Sequence, residues 1–315
     1  MSKQHLRNSL GSQPLPKARL TDVLPKEDKS LRRLVLLLAD LSLSIAAEIP
    51  KTLGGTSRLN VYGEKQQEID VWANDLLTKK LAKSHLVKHI ASEEIEQPLT
   101  LKQGEFSITL DPLDGSSNIK SNNLMGTIVG IYRGTRLPAK GRAQVAAMYF
   151  LYGPYTQAVL ALDSGVYIFV ASGKISATNR YFSNGVPHKL PEKGTVYGIG
   201  GLKQKWTPKV QQFVQSLENK GLKLRYGGSF VGDFNQVLYY GGVFAYPELV
   251  DAPKGKLRLQ FESNPIAFIT EKLGGKGSTG TASILDVEPT TIDQRIPTYV
   301  GNVDLIYELE QSMKS

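Results

Sequence analysis

The 315-residue sequence contains no cysteine. Disulfides, thiolate nucleophiles, iron–sulfur clusters, cysteine-ligated zinc and thiol redox switching are therefore excluded. Histidine is scarce. His5, His85, His89 and His188 are the whole set, and they show no metal-ligand spacing. Long hydrophobic runs are missing as well. The most apolar window, Leu34 to Ala47, is too short to span a bilayer and contains Asp40, so it reads as a buried amphipathic helix. No hydrophobic signal core opens the chain. A cytoplasmic location is the expectation, although the basic, polar start leaves a transit segment open. There is no G-x-S-x-G elbow, Walker A motif or convincing dinucleotide fingerprint, and Gly274-Gly275-Lys276-Gly277 reads as a helix stop. Neither an internal repeat nor a low-complexity tract is present.

The net charge is +9, but Lys and Arg are spread along the chain without a dense basic run or a nucleic-acid motif. Such a surface favours anionic metabolites, and neither nucleic acid nor membrane is expected as a partner. The length suggests two domains, and 41% hydrophobic residues suffice for a large core.

Residues 1–27 carry Pro14, Pro16 and Pro25 with little apolar pattern, and read as a mobile arm. Leu31, Leu34, Val35, Leu38, Leu41, Ile45 and Ile49 predict a helix from Asp28, its cap, to Ile49. Lys51 to Tyr62 reads as a loop, followed by a helix with Ile69, Trp72, Leu76, Leu77 and Leu81 on one face. Short apolar segments then predict strands at 86–91, 106–110, 127–132, 144–149, 157–162 and 166–170, with a hairpin turn at Asp163-Ser164-Gly165. A polar connector is expected over 174–194. Helices follow at 208–217, 231–238 and 265–273, and strands at 283–287 and 298–300. The expected domains are 28–187 and 188–315, a mixed α/β pattern.

One loop stands out: Asp111-Pro112-Leu113-Asp114-Gly115-Ser116-Ser117, at the end of a strand. Asp-Pro and Asp-Gly alone are ordinary turn chemistry. Two carboxylates followed by Gly-Ser-Ser combine oxygen ligands for a hard cation with N–H donors for a phosphate. Glu93-Glu94 closes another apolar stretch and could add ligands. Glu64, Glu68 and Asp70 precede or open a helix, where acids often serve the macrodipole. Gly255-Lys256-Leu257-Arg258-Leu259 reads on its own as a strand with solvated charges, and Tyr226 and Tyr246 as core-edge residues.

Ala91-Ser92-Glu93-Glu94 together with Asp111 to Asn118 resembles the class I fructose-1,6-bisphosphatases, within the inositol-monophosphatase-like metal-dependent phosphatases. Segments 63–70, 224–229, 240–247, 255–259, 262–265 and 286–295 extend the likeness over about residues 30–310. The resemblance implies a layered α/β/α/β/α fold of two mixed-sheet domains, with metals in the cleft between them. It implies that Glu93, Asp111, Asp114 and Glu262, with the Leu113 carbonyl, bind Mg2+, for which Mn2+ or Zn2+ could substitute. Glu94 and Asp70 would take a proton from the attacking water, and Glu64 would belong to the mobile catalytic loop. Asp114, Gly115, Ser116 and Ser117 would hold the scissile 1-phosphate. Tyr226, Tyr246, Lys256 and Arg258 would hold the sugar and far phosphate. Arg225 would reach a neighbouring subunit's site, implying a homo-oligomer, usually a tetramer. The reaction implied is hydrolysis of fructose 1,6-bisphosphate at its 1-phosphate. Sedoheptulose-1,7-bisphosphatase or dual activity is the alternative, and a catalytically silent binding protein is the alternative of another class.

The sequence departs from the family in three places. Gly200 stands where the family carries an Asn that contacts the far phosphate. Glu105-Phe106 replaces the Lys-Tyr of AMP-inhibited members, although Arg133 matches their AMP-site Arg. Glu64 replaces a common Asp. Phe106-Ser107 and Asp233-Phe234-Asn235-Gln236 lean toward sedoheptulose-1,7-bisphosphatase, whereas Tyr240-Gly241-Gly242 and Tyr246-Pro247 lean back.

Overall fold

The computed structural model describes residues 18–26, 28–51, 55–59, 65–172 and 181–314. The chain begins with β1 (Ala18–Arg19), α1 (Leu20–Val23), α2 (Lys29–Glu48), β2 (Gly55–Leu59), β3 (Lys65–Gln67) and α3 (Glu68–Lys83). Eight further strands are β4 (Val87–Ser92), β5 (Leu99–Thr100), β6 (Phe106–Asp114), β7 (Met125–Arg133), β8 (Gln144–Tyr152), β9 (Thr156–Leu162), β10 (Gly165–Ala171) and β11 (Tyr181–Ser183). The remainder comprises β12 (Val196–Ile199), α4 (Pro208–Asn219), β13 (Lys223–Leu224), α5 (Phe230–Tyr240), β14 (Gly242–Tyr246), α6 (Asn264–Lys272), β15 (Lys276–Ser278), β16 (Thr298–Gly301) and α7 (Val303–Lys314).

The strands form two mixed sheets and a separate β2–β3 pair. The larger sheet runs β1-β11-β10-β9-β8-β7-β6-β4-β5, and within it only β4 and β6 pair in parallel. The smaller runs β13-β12-β14-β16-β15. Helices α2 and α3 cover one face of the larger sheet, where their leucines and isoleucines meet Ile108, Leu110 and Leu160. Its other face packs on α5 and α6, which also touch the smaller sheet. Phe230, Phe234, Ile266 and Ile269 fill that middle layer. α4 and α7 close the outer face. The order is the expected α/β/α/β/α. Both faces of the central strands are buried, which is why β6 reads as continuously buried rather than alternating.

Local signals account for several boundaries. Asp28 Oδ1 accepts the Leu31 N–H at 2.9 Å and caps α2. Thr207 and Ser229 cap α4 and α5 in the same way. Gly165 pairs with Leu162 across the expected hairpin turn.

Other expectations are corrected. The arm expected over 1–27 ends earlier on its described side. Ala18–Arg19 pairs with β11, and Leu20 and Leu24 are buried at helical i,i+4 spacing. The loop expected over Lys51 to Tyr62 contains β2, because a partner at Lys65–Gln67 completes a ladder that local propensity does not reveal. The connector over 174–194 contains β11, anchored by buried Tyr181, whose hydroxyl lies 2.8 Å from Ser42 Oγ. The strand expected at 283–287 is instead a 3-10 turn at Ile284–Asp286. Ile284 and Leu285 are buried and Arg142 holds Asp286 through two bonds of 3.0 and 2.9 Å; a short apolar run does not distinguish a strand from a buried turn.

Candidate active site

Asp111 and Asp114 are three residues apart, which in a regular strand would put them on opposite faces. The β6–β7 register shifts between them: Asp111 faces Ile128 and Asp114 faces Gly126. One extra residue in β6 therefore restores both carboxylates to one face. Thr127 Oγ donates to the Pro112 carbonyl at 2.8 Å, and Asp111 Oδ1 accepts the Leu113 N–H at 3.0 Å, which pins the bulge. Gly115 follows at φ +77, and a Cβ there would lie 2.5 Å from Ser229 Cβ. Glycine is thus required on both conformational and steric grounds. The chain then turns into the 3-10 segment Ser116–Ser121.

Asp114 is also tied to the second half of the chain. Its Oδ2 accepts from Ser229 Oγ at 2.6 Å and from the Val231 N–H at 2.8 Å, at the start of α5. Asp233 accepts the N–H groups of Gly227 and Gly228 at 2.6 and 3.0 Å, setting the loop that carries Tyr226. Burial raises the Asp233 pKa to about 6, partly opposed by those bonds.

Glu262 comes from a π-helical turn at Leu259–Ser263, and its Oε2 accepts the Arg258 N–H at 2.7 Å. Carboxylate oxygens of Asp111, Asp114 and Glu262 lie within 4.8 Å of one another, and all three residues are buried. Glu93 continues the β4–β6 ladder, its N–H donating to the Leu110 carbonyl at 3.0 Å. Its carboxylate meets the buried Arg258 guanidinium, and its charge acts on Asp111 and Glu262 of the trio. Arg258 is therefore not a solvated strand charge. It is 3% exposed, and the segment around it is not a strand beyond a bridge to Arg295. On the opposite wall, Ser92 Oγ donates to Asn74 Oδ1 at 2.8 Å and so couples α3, which carries buried Asp70, to the turn bearing Glu94.

These groups line one pocket of about 300 Å3, with Asp70, Glu93, Glu94, Asp111, Leu113, Asp114, Gly115, Ser116, Ser117, Tyr246, Lys256, Arg258 and Glu262 all on its surface. Tyr226 is half-exposed and touches it through Tyr246, hydroxyl to hydroxyl at 3.1 Å. Arg225 is exposed and outside the pocket in this single chain. Glu64 lies outside the described residues. Residues missing from the expected set are Gly228 and Arg295, which line the pocket, and Ser229, which holds Asp114. Ser229 follows Gly227-Gly228 and caps α5, a legible signal. Arg295 had none beyond its place in a matching segment.

Gly200 has a steric explanation. A Cβ there would lie 2.1 Å from the Tyr246 ring, so the ring takes the room a longer side chain would need. Lys256 Nζ sits 4.8 Å above the same ring.

The acids strain one another electrostatically. Burial, then the charges of Glu93, Asp114, Glu262 and Asp70, raises Asp111 well above the usual range. Burial raises Asp114 too, against its hydrogen bonds. Burial, followed by Glu93, moves Glu262 from 4.5 to about 8. Anions crowded this closely need protons or cations among them. The donors are all oxygen and anionic, with no histidine or cysteine among them, so the set fits a hard divalent cation. An acid trio that could hold a cation, beside a Gly-Ser-Ser turn at the joint of two mixed sheets, is the arrangement expected of a layered, metal-assisted phosphatase.

Comparison with known proteins makes the assignment narrower. Residues 29–178 match the N-terminal domain of fructose-1,6-bisphosphatase, and 190–314 match its C-terminal domain. A class 1 fructose-1,6-bisphosphatase of Halobacterium salinarum is 46% identical over 278 residues, 88% of this chain and 94% of that protein. One of Methanocorpusculum labreanum is 42% identical over 283 residues, 90% and 87% of the two chains. The crystal structure of Leishmania major fructose-1,6-bisphosphatase superimposes with a TM-score of 0.84 at 31% identity, covering 94% of this chain and 99% of that one. A Toxoplasma gondii structure described as a candidate sedoheptulose-1,7-bisphosphatase gives 0.84 at 28% identity, covering 94% and 98%. The chain belongs to the class 1 fructose-1,6-bisphosphatase family.

Proposed function

We propose that the protein is a hydrolase that releases the 1-phosphate of fructose 1,6-bisphosphate by in-line attack of water, leaving fructose 6-phosphate. The observation that carries this reading is the convergence of Asp111, Asp114 and Glu262 beside the Gly115–Ser117 turn, with Lys256 and Arg295 lining the same pocket. Divalent ions held there would supply Lewis acidity to the phosphoryl group and acidify the attacking water. Asp111, Asp114 and Glu262 would hold one ion, and Glu93, whose charge acts on both Asp111 and Glu262, would help to hold a second. An all-oxygen set suits Mg2+ or Mn2+ better than Zn2+.

The chain's own groups do the rest. N–H and hydroxyl groups of Gly115, Ser116 and Ser117 hold the scissile phosphate. Glu94 and Asp70, on segments that the Ser92–Asn74 hydrogen bond ties together, accept the proton of the water. Lys256, braced over Tyr246, and Tyr226 receive the far phosphate and the sugar. Arg258 stays with Glu93 and orients it. Arg225, exposed here, would complete the site of a neighbouring subunit in a homo-oligomer, a tetramer by family likeness. Among the described residues no helix is long and apolar enough to cross a membrane. A cytoplasmic place is part of the same reading.

Sedoheptulose 1,7-bisphosphate is the second substrate to weigh, because Gly200 and Tyr246 reshape the wall near the far phosphate. The Asn235 likeness to sedoheptulose enzymes carries less. Its side chain accepts from Tyr149 and Gln157 at 2.8 and 2.7 Å, a structural network. Phosphate release across sugar mono- and bisphosphates, with Mg2+ or with EDTA, tests the reading. Activity on fructose 1,6-bisphosphate that EDTA and Asp114→Ala both abolish is expected. Absence of turnover on every sugar bisphosphate would leave a silent binding protein instead.

A further inference from the structure

A second cavity of about 640 Å3 is larger than the acidic pocket and takes no part in the chemistry above. Its walls come from β4 and β5, the turn after β7, and the segment Thr290 to Asp293. Its volume is within the roughly 300–1,000 Å3 of small-molecule sites. The lining mixes three kinds of group. Arg136 supplies positive charge, and His89 supplies a ring N–H donor. Thr100 and Thr291 supply hydroxyls, and His89 Nδ1 lies 3.2 Å from Thr100 Oγ. Glu96 and Asp293 supply carboxylates. Burial, then the charges of Lys88 and Arg136, lowers the His89 pKa and keeps its ring neutral beside the guanidinium.

That mixture selects a ligand class. A phosphate ester pairs with the guanidinium, while carboxylates accept hydrogen bonds from neutral hydroxyls and repel further anionic groups. A polyol carrying one phosphate satisfies both demands, whereas a polycarboxylate or a bisphosphate does not. The floor is a small apolar cluster in which Leu137 and Ile292 pack with Ala91 and Phe261. Ala91 lies two residues before Glu93, and Phe261 adjoins Glu262. The segment 290–293 is closed by Gln294, which accepts from Thr290 N and Oγ at 2.7 and 2.9 Å, and leads directly to Arg295 in the acidic pocket.

We infer that this cavity is a regulatory site for a polyol monophosphate, whose occupancy is transmitted through the shared floor to the segments bearing Glu93, Glu262 and Arg295. The regulatory part rests on the hydrolase reading; the binding part does not. Calorimetric titration of the full chain in Mg2+ with glucitol 6-phosphate, and separately with citrate, tests the site. Binding of the phosphate is expected in the wild type and in Lys256→Ala. It should weaken about tenfold or more in Arg136→Glu, through loss of the charge-assisted bonds to the phosphate, and less in His89→Ala, through loss of one N–H donor. Citrate should bind far more weakly. The probe should change kcat on fructose 1,6-bisphosphate in the wild type but not in Arg136→Glu. No binding, binding lost only in Lys256→Ala, citrate binding as tightly as the phosphate, or binding without any change in kcat would each overturn the inference. An enzyme that hydrolyses nothing, yet binds the probe through Arg136, would instead sink the hydrolase reading.

Discussion

Glu262→Gln is expected to make the metal-free protein more stable while destroying its activity. In the fold, burial and Glu93 hold the carboxyl at about 8 against an ordinary 4.5. At pH 7 the unfolded chain has released this proton and the folded chain has largely kept it. Stability is therefore full below about pH 4.5, falls as pH rises, and levels off above about 8. Over the 2.5 pH units from 4.5 to 7, at about 1.36 kcal/mol each, the loss is about 3 kcal/mol. Glutamine removes that titration. Its amide oxygen can still accept the Arg258 N–H, but the attraction to the Arg258 charge is lost, so a gain of about 1–3 kcal/mol at pH 7 is expected. Urea unfolding in EDTA at pH 5, 7 and 8 reads the difference directly. The gap between variant and wild type should widen from pH 5 to 8. Millimolar Mg2+ should stabilise the wild type and do much less for the variant. A variant less stable than wild type in EDTA at pH 8, or a gap that ignores pH, would refute the electrostatic account of the pocket.

Three further outcomes follow from the same geometry. Asp114→Asn should lower kcat by about a thousandfold or more, since Asp114 would both hold the cation and order Ser229 and α5; near-normal turnover at saturating Mg2+ would remove it from the reaction. Lys256→Ala should raise KM for a bisphosphate much more than it lowers kcat, and leave a monophosphate substrate nearly unaffected; equal effects on both would place Lys256 elsewhere. AMP should inhibit weakly or not at all, because Asp28 and Glu105, the latter at 2.7 Å, already engage Arg133; a micromolar inhibition constant would contradict this.

Much of the architecture was legible in order along the chain. Periodic leucines and a capping Asp28 marked α2. Glycine and aspartate turns separated the strands, and Gly274-Gly275 ended α6. The acids at 93, 94, 111 and 114 were legible as types that hold hard cations, whereas Glu262 stood out only through the family resemblance. Other features were not. Local patterning in 255–259 suggested solvated charges, yet Arg258 is buried against Glu93, a residue far away in the chain. The strand at 55–59 depends on a partner at 65–67, and the apolar run at 283–287 turns instead of extending because Arg142 holds Asp286.

The amino-acid sequence by itself determined which residues could be helix, strand and turn, and which side chains could bind cations and phosphate, because these depend on residue type and short-range spacing. Only the tertiary structure decided that Asp111, Asp114 and Glu262 share one small volume, that a one-residue bulge turns the two aspartates to the same face, and that Tyr246 occupies the room beside Gly200. Those outcomes hang on contacts between segments separated by a hundred residues or more, or across a strand pair, and no local pattern encodes the distance at which two distant charges will meet.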